Sequence, residues 1–269
     1  MTRFRLWDAS LVLGGVTLAS LTLKTYHTFG EPSGQLSHQR LSAQDADSTI
    51  SSAKTFLASN PEDFKAWSQL ATAYFYKGKD SYPDALNALE KARSLGATSE
   101  SLFYYAGVMY EALGLPDYAA NELSKYLRHH PDDYESQIRM ANVFAQQKKT
   151  DEAYKLYQVL VKKWPNDATL WFNFALVSKD KGDLDGAAAS LQKVREISKQ
   201  LPEGGVFQEG EIARLKGSDD KAISLYQEEL AAHQQFLPAL IALEAAQRRK
   251  GLWKDARETR KKISELKPA

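Results

Sequence analysis

Five histidines, no cysteine and a scatter of adjacent carboxylates are the residues of this 269-residue chain with chemistry to offer. Their spacing argues against each use. His27, His38, His129, His130 and His233 form no H-E-x-x-H pair and no metal-ligand spacing on a helical face. His129-His130 precedes Pro131 and reads as a helix end, where cations complement the dipole. The lack of cysteine removes disulfides, zinc fingers, iron–sulfur ligation and a thiol nucleophile at once. Gly205 and Gly210 have four residues between them, but Glu211 follows where a phosphate-binding loop needs Lys and then Ser or Thr. Asp132-Asp133 and Glu228-Glu229 read as helix-end and solvated-face pairs. With no nucleophile and no acid–base pair, the sequence predicts no catalytic residue, no metal site, no cofactor and no enzymatic activity. The opposing class is an enzyme whose site a single sequence does not reveal. A compact pocket with convergent titratable groups would mark the enzyme, and an open groove a scaffold.

Charge narrows the partners. Thirty-five basic residues against 34 acidic ones give a formal net charge of +1, which does not suit a nucleic-acid binder. The basic segment Arg248 to Lys262 holds eight cations and two acidic residues. It reads as a solubilising end, with an anionic partner as the alternative; Trp253 alone interleaves, which is weak for single-stranded nucleic acid.

The elements that position these residues repeat. Ala85, Ala119, Ala153, Ala187, Ala222 and Ala256 are spaced 34, 34, 34, 35 and 34 residues apart. Gly78, Gly114, Gly182, Gly217 and Gly251 fall at the turn inside five of these six units, and Pro61, Pro131, Pro165 and Pro268 close units in the same frame. The residues Glu100 to Asp133 show the pattern: two segments with apolar residues at i, i+3, i+4 and i+7, separated by LGLPD. Small Ala permits close helix approach, Gly supplies a left-handed cap, and Pro stops the second helix. Trp67, Trp171, Tyr110, Tyr157 and Tyr226 are expected in the core. A hydrophobic content of 43% with no strand-like alternation fits units that bury their faces on one another.

A 34-residue helix–turn–helix period resembles the tetratricopeptide repeat (TPR) family over residues 64 to 269. Trp67, Leu70 and Tyr74 match its pattern in the first unit, Gly107, Tyr110, Ala119 and Pro131 in the second, and Phe144, Ala153, Tyr157 and Pro165 in the third. Trp171, Gly182 and Ala187 match in the fourth, Gly210, Ala222 and Tyr226 in the fifth, and Gly251, Ala256 and Pro268 in the sixth. Ser178, where an aromatic is usual, and Tyr126, where a small residue is usual, depart from it. The resemblance implies an all-α, right-handed α-solenoid of about six TPR units, at about 64–99, 100–133, 134–167, 168–201, 203–236 and 237–269.

The resemblance also implies a concave groove that binds a peptide or protein partner. Carried over by position, its lining includes Tyr104, Tyr105, Val108, Ile138, Arg139, Asn142, Phe172, Asn173 and Leu176, with Phe207 and Gln208 from the fifth unit. We take Tyr104, Tyr105, Arg139, Asn142, Phe172, Asn173 and Phe207 as the candidate partner-binding residues, since aromatics and Arg dominate binding hot spots. Asn142 and Asn173 fall on the two Asn positions of carboxylate-clamp TPR domains. Ile138, Gly204 and Gln208 occupy the places of that clamp's two Lys and one Arg, so the clamp is incomplete.

The N-terminus adds an expectation about the membrane. Residues 1–5 are short and basic, and Leu6 to Leu23 is apolar with Asp8 as its one charge. Eighteen helical residues reach about 27 Å, near the roughly 30 Å of a hydrocarbon core. Trp7 and Tyr26 bracket the segment as interfacial aromatics do. A cleaved secretory signal is the alternative, with Thr17-Leu18-Ala19 as its site. Arg3 and Arg5 favour an internal N-terminus and an external array, a single-pass protein of the cytoplasmic membrane. Residues 24–44 read as a flexible linker and 45–60 as a capping helix ahead of the 64–269 repeats. This layout resembles envelope-assembly factors, among them the accessory subunits of cytochrome c maturation that hold the apocytochrome C-terminus, and implies a membrane-anchored scaffold. The oligomeric state is open.

Overall fold

Pro-x-Asp recurs as Pro61-Glu62-Asp63, Pro131-Asp132-Asp133 and Pro165-Asn166-Asp167, and each time a helix starts at the next residue. Proline cannot continue the helix before it, and the aspartate caps the helix after it. Asp63 accepts from the Ala66 amide, Asp133 from Ser136, and Asp167 from Thr169 and Leu170. In a computed structural model, which describes residues 43–266, this punctuation yields thirteen helices and no strand among the described residues. The expected membrane span at Leu6–Leu23, the tail and most of the linker lie outside the described residues. No described helix is long and apolar enough to cross a membrane.

The described residues fall into two units, 43–200 and 201–266. The first holds α1 (Ala43–Ser59), α2 (Phe64–Lys77), α3 (Tyr82–Ser94), α4 (Ser101–Ala112), α5 (Pro116–His129), α6 (Tyr134–Gln146), α7 (Thr150–Lys163), α8 (Ala168–Lys181) and α9 (Leu184–Ser198). Each packs on the next, and α4 also touches α2 and α6. A 3-10 turn, Lys79–Ser81, fills the longer connection between α2 and α3. The second unit holds α10 (Gly205–Leu215), α11 (Asp219–Ala232), α12 (Leu237–Arg249) and α13 (Trp253–Leu266), again packed in sequence.

Packing explains the repeat period. Ala85, Ala119, Ala153, Ala187 and Ala222 have no accessible surface, so a larger side chain there has nowhere to go. Gly107 and Gly210 occupy equivalent places on α4 and α10, where an added Cβ would lie 2.7 Å from Leu123 Cγ and 2.5 Å from Tyr226 Cε1. After the first helix of a hairpin the chain enters the left-handed region at Gly114, Gly182, Gly217 and Gly251, and the amide of the following residue bonds back to a carbonyl five residues earlier. Lys148 takes that position in the third repeat with φ of 59°.

Tyr157 and Tyr226 are fully buried, as expected. Trp67, Trp171 and Tyr110 are only half-buried, a correction to their expected core placement. The indole explains the tryptophans: Nε1 of Trp67 donates to the Pro61 carbonyl and Nε1 of Trp171 to the Pro165 carbonyl, each at 2.8 Å. The ring edge stays near the surface so that its N–H can tie the helix to the turn before it.

Candidate functional site

Helices α4, α6 and α8 are the first helices of three successive hairpins, and they carry six of the seven candidate residues. Tyr104 and Tyr105 lie on α4, Arg139 and Asn142 on α6, Phe172 and Asn173 on α8. Phe207 lies on α10, in the other unit. Six of the seven are between 1% and 7% exposed; Arg139 alone keeps about a fifth of its side chain exposed, at 19%.

Tyr105 joins an aromatic cluster with Phe75, whose ring centroid lies 4.7 Å away, and Tyr76, whose hydroxyl is 3.4 Å from its own. Tyr104 packs edge-on against Tyr105 and tilted against Tyr126. Burial, more than any charge, raises the pKa of both hydroxyls, and pushes that of Tyr126 up to about 12. These phenols are therefore neutral donors across the physiological range.

Arg139 turns out to be internally engaged. Its Nη1 donates to Glu111 at 2.8 Å and its Nη2 to Glu135 at 2.7 Å, while the Tyr104 hydroxyl shares hydrogen bonds with Glu135 and Arg139. Burial works against the guanidinium's charge, but Glu111, then Tyr104 and Glu135, outweigh it and leave the pKa raised. Repeat position alone places Arg139 and Tyr104 here; Glu111 and Glu135, which hold the guanidinium, are not among the candidate residues. Glu135 was detectable as an i,i+4 partner; Glu111, on another helix, left no local signal.

Asn142 and Asn173 differ from the rest. The Asn142 Oδ1 accepts the Tyr157 hydroxyl, but its Nδ2 has no hydrogen-bond partner, and neither has Nδ2 of Asn173. Both residues are 2% exposed. Among the described residues, the buried side-chain atoms without a partner are these two and those of Ser136, Gln147 and Ser178, all on α6, its C-cap and α8. Buried polar groups are ordinarily satisfied, so this concentration is specific to the third and fourth repeats.

Phe207 is a core residue of its own unit. Its ring meets Tyr226 and Phe236, with centroids 5.7 and 5.6 Å away. Its backbone N–H and that of Gly204 donate to the two oxygens of Glu229, at 3.0 and 2.9 Å. A carboxylate from α11 thus caps α10, which begins at Gly205.

The described residues contain no group of three or more His, Cys, Asp or Glu able to hold a metal ion. His129 and His130 both contact Glu100, at 3.2 and 2.8 Å, tying the end of α5 to the start of α4 at an exposed edge.

Stacked helix hairpins with buried Ala in register, aspartate caps and left-handed glycine turns define a tetratricopeptide-repeat protein. Solved structures with the same fold include YrrB, described as a TPR protein with an unusual peptide-binding site (20% identity, TM-score 0.57, 72% of this chain and 98% of that one). They also include the type IV pilus biogenesis factor PilW (19%, 0.53, 80% and 90%) and MamA from Desulfovibrio magneticus RS-1 (19%, 0.55, 62% and 94%). At these identities the likeness establishes the fold. The family model of the coatomer epsilon subunit matches residues 34–204, and the chain belongs to that family. Among curated proteins the chain is 32% identical over 181 residues to the cytochrome c-type biogenesis protein CycH of Rhizobium meliloti (strain 1021). That match covers 64% of this chain and 46% of CycH, so the chain spans about half the length of the curated relative it matches.

Proposed function

We propose that this chain is a scaffold of the cell envelope that holds a polypeptide partner against α4, α6 and α8, and that it performs no reaction itself. The observation that carries the reading is the pair of buried amide donors, Asn142 Nδ2 and Asn173 Nδ2, with no acceptor inside the protein. An unmade hydrogen bond on a buried donor costs about 1–3 kcal/mol. Once the buried amides swing outward on docking, a partner's backbone carbonyl or carboxylate recovers that cost, and the aromatic cluster of Tyr104 and Tyr105 supplies apolar contact beside it. Phe172 completes the proposed lining in the fourth repeat; Phe207, in the core of the other unit, is not part of it.

The partner of this proposal is an unfolded c-type apocytochrome segment, in keeping with the likeness to a cytochrome c-type biogenesis protein. PilW, a biogenesis factor with this fold, is consistent with an assembly role. Anchoring through Leu6–Leu23, with the repeats outside the cytoplasm, belongs to the same reading. The test is a fluorescence anisotropy titration of the full chain in detergent with a labelled apocytochrome C-terminal peptide. Saturable binding that a scrambled peptide does not reproduce is expected; equal response to both peptides, or to neither, would refute the reading.

A further inference from the structure

The last helix, α13, buries only Ala256 and Thr259, with Ile263 and Leu266 half-buried beside them. Thr259 fastens it to α12 by donating to Gln247 Oε1 at 2.9 Å. The rest of the helix faces outward. At its start Trp253 is 62% exposed and Leu252, just before it, 41% exposed, which makes Trp253 the most exposed of the large apolar residues described. An indole left in water beside an exposed leucine gains nothing for the fold.

The surrounding charges divide into two sets. Arg249 and Lys250 pair with Asp219 and Asp220 at 2.7 and 3.0 Å, and Arg260 pairs with Glu244 at 3.0 Å. These cations fasten helices to one another. Lys254, Arg257 and Lys262 are exposed and make no ion pair among the described residues. Lys254 and Arg257 share one helical face with Lys261, opposite Ala256, Thr259 and Ile263; Lys261 pairs with Glu265 at 4.0 Å and Glu258 flanks the same face, so Lys254 and Arg257 are its unpaired cations.

We infer that Leu252, Trp253, Lys254 and Arg257 form a peripheral docking surface for an anionic phospholipid bilayer. The chemistry favours this occupant over a nucleic acid. An interfacial anchor combines an aromatic with an N–H at headgroup depth and basic residues around it, and both are present. Nucleic acid calls for several interleaved aromatics, and this surface has one. Basic residues near an anionic leaflet each add attraction that fades within a Debye length, so the contact is reversible and salt-sensitive.

The experiment reads Trp253 itself, because apolar residues 6–23 give the full chain a second route to vesicles. Emission of Trp253 is obtained as the difference between wild type and Trp253→Phe, both full-length. With phosphatidylglycerol–phosphatidylcholine vesicles it should shift to the blue and be quenched by brominated acyl chains; with phosphatidylcholine alone it should not. Lys254→Glu with Arg257→Glu, both at exposed positions, should weaken the response at least about tenfold at unchanged helicity. Emission indifferent to anionic vesicles, equal quenching in both vesicle types, or a response to polyglutamate or DNA in their place would each overturn the proposal.

Discussion

Arg139 on α6 joins two carboxylates that belong to different helices: Glu111 of α4 at 2.8 Å and Glu135 of its own helix at 2.7 Å. Glu111 is nearly inaccessible, with 3% of its side chain exposed. Removing the guanidinium would leave a buried carboxylate uncompensated, and such losses cost about 3–5 kcal/mol. Arg139→Met should therefore destabilise by an amount in that range in guanidinium denaturation. Arg139→Met combined with Glu111→Leu should recover most of it, since apolar replacement of a whole buried pair is often neutral. A single-variant loss below about 1 kcal/mol would mean that the pair contributes no more than a surface bridge.

The contrast between Arg139 and the alanine frame shows what a sequence reveals. Ala119 and Ala153 repeat because every hairpin has the same steric demand, so packing writes a period into the chain. The pairing of Arg139 with Glu111 occurs once, across 28 residues, and has no period. The repeat frame places Arg139 on an inward position but does not reveal that a carboxylate already waits there. Glu229 capping α10 is hidden for the same reason, lying 25 residues downstream of Gly204. Trp67 and Trp171 were legible as recurring aromatics, yet their half-burial depends on a carbonyl six residues back.

Lys148 offers a test of the turn chemistry. It adopts φ of 59° where the other repeats hold Gly114, Gly182, Gly217 and Gly251. A side chain in the left-handed region costs about 1–2 kcal/mol, partly offset because glycine loses more entropy on folding. Lys148→Gly should raise stability by up to about 1 kcal/mol in urea denaturation. A loss of stability would show that the Lys148 side chain contributes more than its backbone strain.

Gly210 is predicted to resist enlargement. Alanine gains about 1 kcal/mol over glycine in a helix interior, but overpacking costs typically 1–3 kcal/mol. The Tyr226 ring, 2.5 Å from the new Cβ, is rigid, and its hydroxyl donates to Glu211 at 2.5 Å. Gly210→Ala should therefore destabilise, as a lower melting temperature. Gly107→Ala meets the more pliable Leu123 and should lose less. The reverse order would contradict this packing argument.

Two exposed ion pairs set an acid dependence. A side-chain hydrogen bond from Lys181 holds the Asp151 carboxyl below its usual range, and one from Arg249 does the same for Asp219. A carboxyl whose folded pKa lies below its unfolded value of about 3.9 adds stability above that value, lost as pH falls through the folded pKa. Asp151→Asn with Asp219→Asn should therefore melt below wild type near neutral pH, with the gap closing as acid takes the pH below the ordinary carboxylate range. High salt should narrow the gap at neutral pH, because both pairs are open to solvent. A gap that persists unchanged into acid would assign the effect to something other than ionisation.

Asn142 and Asn173 carry the proposed function, and the protein supplies its own control for replacing them. In the fourth repeat the places of Asn142 and Tyr157 are taken by Leu176 and Leu191, both buried. The hairpin thus accepts an apolar pair where the third repeat has a hydrogen-bonded one. Asn142→Leu with Tyr157→Phe removes donor and acceptor together while keeping the branching at Cγ, the arrangement Leu176 and Leu191 already show to be accommodated in the fourth repeat. Asn173→Leu removes the second amide with the same branching at Cγ. The triple variant should unfold within about 1 kcal/mol of wild type, since it also sheds two unsatisfied buried donors. Binding of the apocytochrome peptide should nevertheless weaken by roughly tenfold to a hundredfold, the loss of two hydrogen bonds of about 0.5–1.5 kcal/mol each. A variant that folds normally and binds the peptide with wild-type affinity would remove these amides from the docking site. Tyr104 and Tyr105, beside the Arg139 network, would then be the residues to replace next.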